Sequence, residues 1–164
     1  MMRPLIVSGG QTGVDRAALD VAIKKKIPYS GWCPLGGRAE DFGDPPGLLA
    51  KYNLRPTPAV AAEQRTAWNV RDSNATLILL HGTIEVSKGS LFTKLCADLI
   101  FLRPCRVVDM GESERALDST TRWLTRLVDI SRSDQFTLNF AGPREKESPG
   151  IYKLAVAFID ELLG

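Results

Sequence analysis

The amino-acid sequence predicts an α/β fold: a single domain over residues 1–164, three layers deep, with a mostly parallel sheet of about five strands and helices on both faces. Three observations predict it. Short apolar runs alternate regularly with stretches of helical periodicity. The run Ala75-Thr76-Leu77-Ile78-Leu79-Leu80 reads as a strand covered on both faces, as in the middle of a parallel sheet. The first run, Leu5-Ile6-Val7, meets a Ser-Gly-Gly turn that opens a helix. That order is how α/β proteins present bare backbone N–H groups to an anion.

Each element follows from its residues. Strand one is Pro4–Ser8. Gly9 and Gly10 let the backbone turn and let a ligand approach without meeting a Cβ. Gln11 and Thr12 add side-chain donors, and Thr12 is placed to cap the helix that opens near Gly13. This helix carries Val14, Ala18, Val21 and Ala22 on one face for packing on the sheet. It ends in Lys24-Lys25-Lys26, cations that suit a helix C-terminus. A second strand near Pro28–Trp32 leads into a Pro- and Gly-rich excursion that lasts until Pro58. Loops of that length inside compact domains usually serve function or motion.

From about Pro58 to Asp72 the pattern is helical, with Arg65, Asn69 and Asp72 on one polar stripe beside Trp68. Strand three ends at His81-Gly82, a polar loop runs through Ser90, and a helix covers roughly Leu91–Leu102. Strand four is brief, Arg106–Asp109, and Gly111-Glu112-Ser113 leads into a helix to about Ser131. Strand five, Gln135–Phe140, ends in Ala141-Gly142-Pro143-Arg144. Ser148-Pro149 opens the last helix, where proline fits the first helical position.

Composition excludes several functions. With 21 basic and 19 acidic side chains the formal charge is +2, so there is no electrostatic footprint for nucleic acid. No apolar segment approaches the ~18 residues that span a bilayer, so no membrane partner is expected. Cys33, Cys96 and Cys105 with the single His81 do not supply four clustered metal ligands, so no metal site is expected. The odd cysteine count and the lack of a signal pattern point to reduced thiols in a cytoplasmic protein.

In a parallel sheet the ligand sits outside the carboxyl ends of the strands. That rule gathers five loops at one edge: Gly9–Gly13, Cys33–Asp41, His81–Ser90, Gly111–Ser113 and Gly142–Arg144. Asp15 either complements the helix dipole or accepts from a ligand. Arg16 pairs with Asp41 or with ligand, the internal pair being favoured. Arg38, Glu40 and Asp41 lie close together, the carboxylates serving acid–base chemistry, metal binding or, slightly favoured, anchoring of the loop. Arg65 and Asn69 stand one helical turn apart, a fork for phosphate or carboxylate beside an amide that both donates and accepts. Lys88-Gly89-Ser90, ahead of Thr93, forms a second anion cradle at a helix start, and Arg144 aims a further cation at the same edge. His81 lacks a visible nucleophile partner, so no catalytic residue is assigned. Nests and cations with few obvious bases suit holding a small phosphorylated ligand better than breaking its bonds.

Ser8-Gly9-Gly10-Gln11-Thr12-Gly13-Val14-Asp15-Arg16-Ala17, Gly31-Trp32-Cys33-Pro34, Arg38-Ala39-Glu40-Asp41, Arg65-Thr66, Asn69-Val70-Arg71-Asp72-Ser73 and Ala141-Gly142-Pro143-Arg144-Glu145 together resemble the putative molybdenum carrier family over nearly the whole chain. The resemblance implies a branch of the Rossmann-like nucleotide-binding superfamily that also holds the LOG-type phosphoribohydrolases. It further implies binding, storage and carriage of the molybdenum cofactor (molybdopterin) as cargo by a homo-oligomer, dimer or tetramer, with molybdenum enzymes as recipients. Two departures stand out. Lys88 and Ser90 replace the first and third members of the family's Gly-Gly-Thr helix start, and Phe42 stands where glycine is expected after Glu40-Asp41. The hydrolases' Pro-Gly-Gly-x-Gly-Thr-x-x-Glu stretch has no match near Gly89, which argues against N-glycoside hydrolysis. The alternatives are an enzyme acting on a nucleotide-like metabolite, with Asp15, Glu40 or Asp41 as acid–base groups, and a nucleotide sensor.

Overall fold

The computed structural model describes residues 3–164. Twelve regular elements matter for the site: β1 (Leu5–Val7), α1 (Val14–Lys24), β2 (Tyr29–Ser30), β3 (Trp32–Cys33), β4 (Arg55–Pro56), α2 (Ala62–Arg71), β5 (Ala75–Leu80), α3 (Lys88–Leu95), β6 (Cys105–Asp109), α4 (Ser113–Ile130), β7 (Thr137–Ala141) and α5 (Ile151–Leu162). The main sheet has the order β2-β1-β7-β5-β6, and every pairing in it is parallel. This is the predicted α/β class.

Alternation along the strands sorts the core. Ile6, Leu77, Leu79, Val108, Leu138 and Phe140 face one side, where α1, α4 and α5 cover them. Val14, Ala18, Val21 and Ala22 of the predicted stripe are all buried there. Ile78, Leu80 and Ala141 face the other side, towards α2 and α3, whose own cluster is centred on Val70, Cys96 and Ala97. β5 is buried at all six positions, which is why it lacks polar alternation.

Renumbered from β7, the order β2-β1-β7-β5-β6 becomes 3-2-1-4-5, the doubly wound arrangement, so the chain follows that path from a different starting point. Arg3 and Gly164 line the same surface groove, so the two ends of the described chain lie together. The direction of winding reverses between β7 and β5. Ligand crevices of open parallel sheets form at such a reversal, outside the carboxyl ends of the strands.

Several boundaries differ from expectation. The second strand is split by Gly31, where a Cβ would lie 2.0 Å from the Ser8 carbonyl oxygen. Beyond it β3 leaves the main sheet and pairs in parallel with β4, which the Pro-rich excursion concealed. That excursion is ordered around Leu48, Tyr52 and Leu54, packed with Leu19 and Cys33. Arg16 ties it down through a two-pronged pair with Asp41, 2.8 Å for each bond. Phe42, in place of the expected glycine, lies under the Arg16 guanidinium at 5.3 Å. The helix expected over 91–102 starts earlier and continues beyond Leu95 as a wider π turn over Cys96–Ile100.

Thr12 does not cap α1: the cap is Gly13, and Thr12 Oγ1 donates instead to Glu40 at 2.7 Å. Nor does Pro149 begin α5. Gly150 is its left-handed cap, and the Glu145 carboxylate accepts from the N–H groups of Gly150 and Tyr152.

Candidate functional site

An open cavity of about 800 Å³ lies at the reversal point between β7 and β5. That is within the ~300–1,000 Å³ typical of small-molecule sites. Its walls come from the turn after β1, the inner face of α2, the segment entering α3, and the end of β7 with the loop beyond it.

The floor is an ion pair. Arg65 reaches from α2 to Asp15 in the first turn of α1, Nη1 to Oδ2 at 2.6 Å, and both side chains are nearly buried. Burial pushes the Asp15 carboxyl up from its usual range, and Arg65 offsets part of that. Gly9 leaves room for this pair: a Cβ would stand 1.8 Å from Arg65 Nη1 and would displace the guanidinium. So Asp15 serves neither the dipole alone nor a free acceptor; its partner is Arg65.

The turn after β1 is largely closed to a ligand. The Gly10 N–H donates to Ser8 Oγ, the Thr12 N–H to Gln11 Oε1, and the Gln11 N–H makes a long contact with Asp15 at 3.4 Å. Gln11 Oε1 also accepts from the Glu40 N–H. Only Gly9, Gln11 and Asp15 of this stretch line the cavity; Gly10, Thr12 and Gly13 do not. A Cβ at Gly13 would lie 2.2 Å from the Pro143 carbonyl oxygen, so this glycine serves packing between two loops.

The opposite wall is open. Ser87 caps α3 by accepting from the Ser90 N–H, and Lys88 and Gly89 form the first exposed turn on the cavity. Their N–H groups have no acceptor within the helix. Among the described residues no carboxylate pairs with Lys88. Arg144, by contrast, is engaged by Glu147 at 3.2 Å, and the same Glu147 oxygen accepts from Ser87 Oγ at 3.3 Å. This bond ties the loop after β5 to the loop after β7.

Of the residues expected at the site, the structure gathers Gly9, Gln11, Asp15, Arg65, Asn69, Lys88, Gly89, Thr93 and Arg144 on the cavity. Several are held by other bonds. Asn69 exchanges two bonds with the Trp32 backbone, at 2.7 and 3.0 Å, and so fixes β3 to α2. Thr93 Oγ1 donates to the Gly89 carbonyl. Arg38 is exposed and off the cavity, and Ser90 is buried off the cavity, its hydroxyl without a partner. Glu40 and Asp41 anchor the excursion to Thr12 and Arg16. His81 is exposed at the end of β5, away from the cavity.

Sequence reasoning missed Glu63, Glu85, Ser87, Asn139 and Glu147, all of which line the cavity. Cations Arg65, Lys88 and Arg144 thus face four carboxylates, Asp15, Glu63, Glu85 and Glu147, rather than few. Two signals were available. Glu147 follows Arg144 by three residues. Asn139 is a buried amide in an otherwise apolar strand, bonded to Thr76.

A parallel sheet in permuted doubly wound order, with a polar cavity at its reversal point, defines a Rossmann-like α/β class. The chain belongs to the circularly permutated YpsA SLOG family, whose model matches residues 6–163. The permutation in that description is the one read from the strand order. A crystal structure of a protein from Syntrophus aciditrophicus SB, named "putative molybdenum carrier protein", is similar at 35% identity. The match covers 99% of this chain and 96% of that one, with a TM-score of 0.82. No curated protein matches the chain. Among the described residues no helix is long and apolar enough to cross a membrane.

Proposed function

We propose that this protein binds, stores and carries the molybdenum cofactor, a phosphorylated pterin, in the cavity between β7 and β5, as a cytoplasmic homo-oligomer that delivers it to molybdenum enzymes. The observation that carries the reading is the first turn of α3. Lys88 supplies a cation without an ion-pair partner, beside exposed helix N–H groups, on a cavity large enough for a pterin. The likeness to a protein named as a molybdenum carrier supports the same ligand class.

The residues present fit such a cargo. The phosphate would meet Lys88 and the Gly89 backbone, and the pterin would lie towards Asn139 and Phe92. No cysteine lines the cavity, and among the described residues no cluster of three or more His, Cys, Asp or Glu is set to hold a metal. The metal would therefore keep the cofactor's own dithiolene sulfurs. Carriage predicts that the protein slows oxidative loss of added cofactor; equal decay with and without protein contradicts it.

A second reading, an enzyme acting on a nucleotide-like metabolite, draws on a different observation. Asp15, Glu40 and Asp41 are engaged by Arg65, Thr12 and Arg16, so acid–base work would fall to Glu63 or Glu85. Turnover of such a metabolite that is lost in Glu63→Gln or Glu85→Gln supports it over simple carriage.

A further inference from the structure

We propose that Asn139 selects the ligand's ring: its Oδ1 is an acceptor held on the cavity for an N–H group of a flat heterocycle. The inference deepens the reading of this cavity as a ligand site and rests on it, but not on the cargo carrying molybdenum. Asn139 lies in β7, the central strand, with Val7 of β1 and Thr76 of β5 as its register partners. Its neighbours Leu138 and Phe140 face the core under α1, α4 and α5, so by alternation Asn139 faces α2 and α3. It is 3% exposed and lines the cavity. Its Nδ2 donates to Thr76 Oγ1 at 3.2 Å. Among the described residues nothing donates to its Oδ1, which opens on the cavity.

The other buried amide on the cavity shows what a purely structural role looks like. Asn69 uses both ends, its Oδ1 accepting from the Trp32 N–H and its Nδ2 donating to the Trp32 carbonyl. Asn139 uses one. A nearly buried acceptor without a donor carries a cost that an apolar residue in this strand would avoid, and a ligand that brings the donor removes it. The surroundings select the kind of donor. An ammonium group would lose its hydration at so buried an acceptor, in a cavity that already holds Arg65 and Lys88. A neutral ring N–H costs less to bury, and Phe92 adds an aromatic surface to the same cavity. A carbonyl oxygen has two lone pairs, so an edge of adjacent N–H and NH₂ groups, as in guanine and pterin rings, satisfies it. A ring without N–H does not.

Titration calorimetry with three monophosphates tests the assignment. Neopterin monophosphate and guanosine monophosphate carry the N–H edge; purine riboside monophosphate keeps the phosphate and sugar hydroxyls but has no ring N–H. The wild type is expected to bind at least one of the first two about tenfold or more tightly than the third. Asn139→Leu is expected to lose that preference, and Asn139→Asp, which keeps an acceptor, to hold it. A merely structural amide would shift the melting temperature of both variants and leave the preference in place, which overturns the proposal. So does equal affinity for the three compounds, binding of none, or an aspartate variant that loses the preference as fully as the leucine one. If a variant does not fold, the wild-type preference decides alone. The result is separable from carriage. A preference for guanosine monophosphate in a protein that retains no molybdenum supports this inference and not carriage; cofactor retained equally by wild type and Asn139→Leu supports carriage and overturns this inference.

Discussion

The two glycine-bearing turns that face the cavity do opposite things. In the turn after β1, Gly9 admits Arg65, and Gly13 admits the Pro143 carbonyl, at distances no side chain tolerates. The N–H groups of Gly10 and Thr12 are already bonded to the turn's own side chains. At the start of α3, nothing lies closer to a Cβ on Gly89 than Ser87 Oγ at 3.8 Å, and Lys88 and Gly89 line the cavity. One turn is a joint between elements; the other is open surface on the cavity. A glycine pattern in a sequence therefore reports close approach of something, and at Gly9 and Gly13 the something is protein.

The largest expected effect comes from breaking the joint. Gly13→Ala places a Cβ against the Pro143 carbonyl in a backbone with φ of +82°, and should destabilise the fold by at least ~3 kcal/mol in urea titration. Next is Asp15→Asn, which leaves Arg65 without its counter-charge in a nearly buried place and should cost about 3 kcal/mol. A loss within ~0.5 kcal/mol would mean that the pair is not the floor of the site.

The tie between α1 and the excursion has a pH signature. The Arg16 bonds to Asp41 hold this carboxyl below its ordinary 3.8. A lowered carboxyl contributes stability above 3.8, and that contribution fades as pH falls through the lowered folded value. The stability difference between wild type and Asp41→Asn should be constant near neutrality and shrink below pH 3.8. Gly89→Ala should have the smallest effect. With open space at Cβ and a helical backbone it should leave stability unchanged or raise it by up to ~1 kcal/mol, the reverse of Gly13→Ala.

Much of the fold was legible because its signals are local. The continuous burial of β5 and the Val14, Ala18, Val21 and Ala22 stripe both follow from periodicity. β4 was not legible: two residues in a Pro-rich stretch become a strand only because β3 lies alongside. The early start of α3 hid behind the polar Lys88-Gly89-Ser90, which reads as loop until Ser87 is seen to cap it. At the site, nine expected residues meet on one cavity because the strand-end rule is topological. Which of them face a ligand was beyond reach, since that depends on pairings across the fold: Arg65 with Asp15, Asn69 with Trp32, Arg144 with Glu147. The missed carboxylates Glu63 and Glu85 carry no motif and are placed only by tertiary structure.

The comparison of the two turns is tested most directly by Lys88→Met. Native mass spectrometry and molybdenum analysis would be run on wild type and variant purified from a host that makes the cofactor. The account predicts a phosphopterin mass and molybdenum on the wild type. It also predicts a roughly tenfold weaker retention in the variant, the loss of one charge-assisted contact of about 1.4 kcal/mol, at unchanged melting temperature. A wild type that carries no added mass, or equal occupancy in the two proteins, would contradict it.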